Sequence, residues 1–164
     1  MLVLFWGEIY EKMLKLNLPS YDYLVKKQND AIFIFDIIRK KYVLLSPEEW
    51  VRQHFLNFLV TGLSVPVNMI STETALKYNK LSKRADILVF SNKGLPLLLV
   101  ECKAPTVKLG QDILLQLSIY NKDMKVTLLA ITNGLEHYCW KKNQDKGLYE
   151  LINMPADYSE MQRL

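Results

Sequence analysis

The chain has 164 residues, of which half are hydrophobic, a formal net charge of +4 at pH 7 and two cysteines. This length and apolar content suit one compact domain with a real core. The small positive charge fits a polyanionic partner but is also common among ordinary soluble proteins. Neither Cys102 nor Cys139 stands at disulfide-framework or zinc-site spacing, so both are predicted to be reduced thiols of a cytoplasmic protein.

The first segment, MLVLFWGEIYEKM, is apolar but too short for a membrane span. It lacks a basic region and contains Glu8 and Glu11, so it does not fit a signal peptide either. MLKLNLPSYDY reads as a beginning in its own right, which leaves Met1 and Met13 both open as the start; the first dozen residues would then be a translated extension or a loosely packed arm. AIFIFDIIRKKYVLL has two apolar runs around the basic turn IRKK, which predicts a β-hairpin before the main fold.

The segment SPEEWVRQHFLNFLV predicts a helix. Ser46 is a suitable N-cap, Pro47 suits the first helical position, and Glu48 and Glu49 favour the positive end of the helix dipole. Gly62 is expected to end the helix. The apolar face comprises Val51, Phe55, Phe58 and Leu59.

The remaining segments predict strands and one further helix. VPVNMISTETALKY, RADILVF and LPLLLVECKAP read as strands, and TVKLGQDILLQLSIYNKD has helical spacing. KVTLLAITNG and LEHYCWKK form a predicted hairpin around an Asn-Gly turn. Strands on both sides of a helix indicate an α/β fold, with a mixed central sheet that has a parallel crossover and is flanked by helices. The helix predicted in TVKLGQDILLQLSIYNKD presents four residues on one broad face: Ile113, Leu114, Leu117 and Tyr120.

Three charged residues lie in or beside these apolar strands. Glu101 and Lys103 are two residues apart, so their side chains leave the same face of one strand. The turn at 92–94 brings Asp86 on the preceding strand next to them. Two converging carboxylates are suitable ligands for Mg²⁺, and a neighbouring lysine can hold or activate water. The alternative is a buried ion-pair cluster that only specifies strand register.

RADILVF and LPLLLVECKAP together resemble the core motif of the PD-(D/E)XK nuclease superfamily. Gln116 and Tyr120 in QLSIY match the Q-x-x-x-Y element of its RecB-like and lambda-exonuclease-like branches. PEEWVRQHFLNFL and ITNGLEHYC are similar to the N-terminal endonuclease domain of type I restriction enzyme R subunits. From about Met13 onward the chain resembles the small stand-alone bacterial proteins named after that domain. The motif proline is replaced by Ala85, a minor departure.

The resemblance implies a restriction-endonuclease-like αβββαβ core and a Mg²⁺ (or Mn²⁺) cofactor. It implies that Asp86, Glu101 and the backbone carbonyl of Cys102 bind the metal. Lys103 would position or activate water. Gln116 and Tyr120 would contact the DNA backbone or steady the site.

Three further residues are candidates on weaker grounds. In the family an acidic residue of the first helix often points at the metal, and Glu48 is preferred for this role because it borders the core-facing stripe. Alternatively, Glu48 and Glu49 only complement the helix dipole. Arg52 and Arg84 are predicted to contact phosphates or support the site; the alternative is that they are solvated surface arginines.

The expected function is therefore metal-dependent hydrolysis of DNA by an endonuclease in the bacterial cytoplasm. The expected organisation is one domain over 1–164: an arm and hairpin (1–45), the nuclease core (46–142) and a C-terminal strand and tail (143–164). Other restriction-system subunits or a second copy are possible partners, since the chain contains no G-x-x-x-x-G-K-[ST] loop of its own. The alternative is a DNA-binding or assembly module that does not cleave.

Overall fold

The computed structural model describes residues 13–78, 81–143 and 147–164, with side chains except those of 73–84, 120 and 122–124. The predicted arm over the first dozen residues lies outside this range. Nine strands are found in the described part. They are β1 (Val25–Gln28), β2 (Ala31–Asp36), β3 (Lys41–Leu44), β4 (Ile70–Tyr78), β5 (Leu81–Phe90), β6 (Pro96–Cys102), β7 (Leu128–Thr132), β8 (His137–Lys142) and β9 (Tyr149–Ile152). The α-helices are α1 (Pro47–Asn57), α2 (Gln111–Met124) and α3 (Tyr158–Arg163).

The strands form two sheets. The first three make a small antiparallel sheet in the order β1-β2-β3. The other six make a sheet in the order β4-β5-β6-β7-β8-β9, in which β6 and β7 are parallel and all other neighbours are antiparallel. The predicted mixed α/β class is confirmed, as is the pairing of β2 with β3 around the basic turn. From α1 to β7 the chain order is helix, three strands, helix, strand.

Helix α1 begins as its sequence predicts and covers one face of the large sheet. The Ser46 hydroxyl accepts a hydrogen bond from the Glu49 backbone N–H at 3.1 Å, and Pro47 occupies the first turn. Val51 and Phe55 are fully buried against sheet residues such as Val100. The helix continues as one π-helical turn, Phe58–Gly62. This packing forms the larger of the two cores.

Helix α2 covers the opposite face of the same sheet. Ile113 and Leu117 pack there against residues such as Leu99 and Ile131. The end of α2 is fixed by the buried side chain of Asn121. Its Oδ1 accepts a hydrogen bond from the Val126 N–H at 2.7 Å, and its Nδ2 donates to the Val126 carbonyl at 2.9 Å. The large sheet therefore lies between α1 and α2, and the strand β6 that ends in Glu101 and Cys102 is covered on both faces.

The turn between β7 and β8 contains a glycine that the packing requires. Gly134 has φ +83°, and a Cβ built on it would lie 2.7 Å from a methyl of Leu16 and 3.1 Å from a methyl of Val51. Gly134→Ala is therefore expected to lower the free energy of unfolding by about 3 kcal/mol, since it combines left-handed backbone strain with overlap. Urea denaturation measures this change.

Gly94 is the matched control, because its φ is +73° but nothing lies within 4 Å of an added Cβ. Gly94→Ala should lose only the backbone part, about 1 kcal/mol. Equal losses in the two variants would contradict the role of the Leu16 and Val51 contacts.

Cys102 and Cys139 are both buried and form no disulfide. No helix in the ranges that the structure describes has the length and apolarity needed to cross a bilayer.

Candidate active site

Asp86 lies where β5 and β6 separate. The last directly paired residues before it are Ile87 and Val100. Beyond this pair, a side chain replaces a backbone acceptor: the Cys102 N–H of β6 donates a hydrogen bond to Asp86 Oδ2 at 2.7 Å. A buried backbone donor is satisfied in this way, and the carboxylate is held beside the end of β6. The predicted closeness of Asp86 to the end of β6 is present.

Glu101 and Lys103 form an ion pair at the end of β6. The Lys103 ammonium donates to Glu101 Oε1 at 2.5 Å. Val100 and Cys102 belong to the core on the α1 side of the sheet, which agrees with the predicted alternation along β6. The backbone N–H of Lys103 donates to the Thr132 carbonyl at 2.8 Å, so the residue after β6 remains attached to β7. Both charged side chains are partly accessible, with relative exposures of 18% for Glu101 and 25% for Lys103.

Arg52 of α1 connects the first helix to Asp86. Its Nη2 donates to Asp86 Oδ1 at 2.7 Å, and the same nitrogen lies 3.4 Å from Glu48 Oε1. Its Nη1 donates to Glu49 Oε2 at 2.8 Å. Arg52 is only 6% exposed, so the solvated-surface alternative is wrong. These contacts join α1 to β5 through the Arg52 guanidinium.

Glu49 joins a buried network that the sequence did not predict. Glu49 Oε1 accepts hydrogen bonds from Arg39 Nη2 and Gln53 Nε2, both at 2.8 Å. Arg39 also donates from Nε to Asp36 Oδ2 at 2.6 Å, and Gln53 donates to the same oxygen at 2.9 Å. Glu49 therefore does more than complement the dipole of α1. The sequence signal for this network was Asp36, which ends the apolar run AIFIFD and resembles an ordinary turn residue.

Among the side chains that the structure describes, the charges of this cluster do not balance. Five carboxylates face three cationic side chains, which leaves two negative charges in excess when all of these are ionised. The carboxylates are Asp36, Glu48, Glu49, Asp86 and Glu101, and the cations are Arg39, Arg52 and Lys103. The excess lies in a mostly buried region, where unpaired charge is costly.

The pKa values of three site residues are shifted by burial and by neighbouring charges. Burial raises the pKa of Glu101, and the neighbouring charge of Asp86 raises it further. The pKa of Glu48 is raised by the same two causes in the same order. For Lys103, burial lowers the pKa, but the hydrogen bond and charge of Glu101, with the charges of Glu48 and Asp86, raise it more. Its pKa therefore lies above the ordinary value, and the ammonium stays protonated at neutral pH.

The donor set fits a divalent cation in its chemistry. Carboxylate oxygens are the ligands that Mg²⁺ prefers, and a double positive charge would neutralise the excess. As the side chains stand, however, both Asp86 oxygens accept protein hydrogen bonds and Glu101 is paired with Lys103. Accordingly, no three His, Cys, Asp or Glu side chains in the described ranges are grouped closely enough to hold an ion. Metal binding would require local movement of these side chains.

The loop after Lys103 is fixed by residues that the sequence reasoning did not select. The Asn133 amide donates to the Val107 carbonyl at 2.9 Å, which ties this loop to the β7–β8 turn. Thr132 Oγ1 accepts from the Gly134 N–H at 3.0 Å and lies 2.7 Å from His137 Nδ1. Burial lowers the pKa of His137, and its Nε2 lies 3.0 Å from the Asn17 carbonyl. A neutral His137 therefore carries its proton on Nε2, and the Thr132 hydroxyl donates to Nδ1.

The other predicted residues are placed as follows. Gln116 is half-buried on α2. The side chains of Tyr120 and Arg84 lie outside the described residues. The Cys102 side chain is fully buried in the core, and the predicted ligand at this residue is its backbone carbonyl. Glu48 stands at the exposed side of the cluster, with a side-chain exposure of 43%.

Comparison with known proteins gave a match to a family model and a likeness to solved structures. Residues 47–155 match the model of the family described as type I restriction enzyme R protein N terminus. A solved fragment assigned as the HsdR subunit of a type I restriction enzyme from Vibrio vulnificus YJ016 shares 22% identity, with a TM-score of 0.42. That match covers 57% of this chain and 20% of the solved chain, so the chain spans about a fifth of that relative. The search of curated proteins returned no match.

Proposed function

The chain belongs to the family of type I restriction enzyme R protein N termini, and from this premise we propose that it is a metal-dependent nuclease of the PD-(D/E)XK superfamily that hydrolyses DNA phosphodiester bonds. The observation that carries the proposal is the convergence of Asp86, Glu101 and Lys103 within the larger cluster, whose described side chains carry two negative charges in excess. The order helix, three strands, helix, strand supports the proposal that residues 46–142 form a restriction-endonuclease-like αβββαβ core.

In this proposal Asp86 and Glu101 hold Mg²⁺ or Mn²⁺, with Glu48 and the carbonyl of Cys102 as additional ligands. When bound, the ion would supply positive charge against the charge that develops on the phosphodiester oxygens. The chain itself fixes the orientation of Asp86 through Arg52 and the Cys102 N–H. The backbone at the end of β6, where the Lys103 N–H donates to the Thr132 carbonyl, fixes the positions of Glu101 and Lys103.

Lys103 is proposed to orient the attacking water or a phosphate oxygen. Its raised pKa keeps the ammonium protonated, so it donates hydrogen bonds and is a poor general base in this state. Of the two expected roles, positioning water is therefore favoured over removing its proton. Gln116, Tyr120 and Arg84 are proposed to contact the DNA backbone or support the site.

Lys103→Ala is expected to lower metal-dependent cleavage by at least about 100-fold, because the group that orients the water or phosphate is lost. The measurement is cleavage of linear, circular and single-stranded DNA with Mg²⁺ or Mn²⁺, beside an EDTA control. The preferred substrate also separates internal cleavage from digestion at ends.

Lys108→Ala is the matched control, since it removes the same charge from an exposed position in the loop that follows. It should retain cleavage within a few-fold of the unaltered protein. Equal cleavage by Lys103→Ala and the unaltered protein would contradict the proposed role of Lys103.

The second candidate is a DNA-binding or assembly module that does not cleave. It is favoured by one observation: in the structure Asp86 and Glu101 are engaged by Arg52, Cys102 and Lys103, as in a stable ion-pair cluster. Under this proposal the partners are other restriction-system subunits or a second copy of the chain. Folded protein that binds DNA but cuts no substrate with either metal would favour it.

A further inference from the structure

We infer that Arg39 is a positioning residue for Asp86, acting through Glu49 and Arg52, and that the small N-terminal sheet thereby supports the active site. The inference rests on the proposed role of Asp86 in metal binding. Arg39 lies in the turn between β2 and β3, before the region 47–155 that matches the family model. The family match therefore assigns it no role.

Short charge-assisted hydrogen bonds connect Arg39 to Asp86. Arg39 Nη2 donates to one oxygen of Glu49 at 2.8 Å, and the other oxygen of Glu49 accepts from Arg52 Nη1 at 2.8 Å. Arg52 Nη2 then donates to Asp86 Oδ1 at 2.7 Å. Each carboxylate uses one oxygen toward each neighbour, so a rotation at Glu49 would displace Arg52 and, with it, Asp86.

The far end of this chain of contacts is firmly anchored. Asp36 is fully buried and accepts hydrogen bonds from the backbone N–H groups of Ile38 and Arg39, at 2.8 and 2.7 Å. Its other oxygen accepts from Arg39 Nε and from Gln53, which also donates to Glu49. These bonds outweigh the effect of burial and lower the pKa of Asp36, so it stays ionised. The guanidinium of Arg39 is therefore fixed at both ends of its fork.

A purely structural role of Arg39 would have a different experimental consequence. If the network only held the small sheet against α1, loss of Arg39 would reduce stability but leave the Asp86 carboxylate in place. If Arg39 positions Asp86, its loss must also weaken the hydrogen bond from the Cys102 N–H to Asp86 Oδ2. Hydrogen exchange at that amide separates the two, because it reports local opening and requires neither metal nor cleavage.

The test is amide hydrogen exchange by NMR in Arg39→Met, Arg39→Lys and the unaltered protein. In Arg39→Met the Cys102 amide hydrogen should exchange at least about 10-fold faster than in the unaltered protein. The amides of residues 98–100, in the interior of β6, should keep their exchange rates. Arg39→Lys should behave similarly, because lysine keeps the charge but cannot form the fork to Asp36 and Glu49. It also provides a second variant should Arg39→Met fold poorly.

Lys41→Met is the matched control, since Lys41 is exposed and near the same turn. It removes one positive charge and should leave Cys102 exchange unchanged. A second readout is Mn²⁺ titration, in which Arg39→Met should raise the half-saturating concentration by about 10-fold and the control should not.

Unchanged Cys102 exchange in both folded Arg39 variants would overturn the inference. Faster exchange in them, with no Mn²⁺ binding or DNA cleavage by the unaltered protein, would reject the proposed nuclease while supporting the positioning of Asp86. The two proposals can thus fail separately.

Discussion

Arg52→Met should lower the free energy of unfolding by about 3–5 kcal/mol, the largest stability loss expected from a single change at the site. Arg52 is 6% exposed and is the cation that contacts both Glu49 and Asp86. Methionine keeps much of the side-chain volume but removes the charge. Two mostly buried carboxylates would then lose their common partner, and the cost of removing charge from water would no longer be offset.

The measurement is chemical denaturation at neutral pH, with Arg163→Met as the control. Arg163 is exposed on α3, where it donates to Ser159, and its loss should change stability by less than about 0.5 kcal/mol. A deficit below about 1 kcal/mol at neutral pH would contradict the importance of this guanidinium.

The elements that could be predicted are those whose signals are local. The N-cap and first turn of α1 depend on Ser46 and Pro47, which are adjacent to the helix. The β7–β8 turn depends on Asn133–Gly134, and the apolar alternation of β6 placed Glu101 opposite the α1-side core. In each of these cases the determining residues lie within a few positions of the element itself.

The elements that were missed lack such signals. β1 has the sequence VKKQ, and three of its four residues are exposed, so it shows no apolar alternation. α3 is only six residues long. Such elements form because a neighbouring strand or core offers partners, and this information is not contained in their own sequence.

The candidate site shows the same division. Asp86, Glu101 and Lys103 could be selected because they interrupt apolar strands, where charge requires a reason. The contacts of Arg52 could not, because it reaches Asp86 across 34 positions of the chain and Arg39 reaches Glu49 across 10. A charged residue on an amphipathic helix is normally solvated, and only the assembled fold shows that three acidic side chains surround this one.

Asp86→Asn is the change expected to have the largest effect on activity. It keeps the size of the side chain and an oxygen that can accept from the Cys102 N–H, but it removes one negative charge from the cluster. If Asp86 holds the metal, Mn²⁺ binding should weaken, and cleavage should fall at least about 100-fold, corresponding to about 3 kcal/mol of lost transition-state stabilisation. Calorimetric titration with Mn²⁺ and a DNA cleavage assay measure the two effects.

Asp112→Asn provides the matched control, because Asp112 is an exposed acidic residue in the first turn of α2. It should retain both Mn²⁺ binding and cleavage. The comparison also separates the nuclease from the ion-pair cluster that the sequence left open. A structural Asp86 would make Asp86→Asn less stable, since Arg52 loses an anionic partner, yet leave any Mn²⁺ affinity unchanged. Reduced stability without reduced affinity would therefore assign Asp86 to the fold, whereas loss of affinity in a folded variant would assign it to the metal.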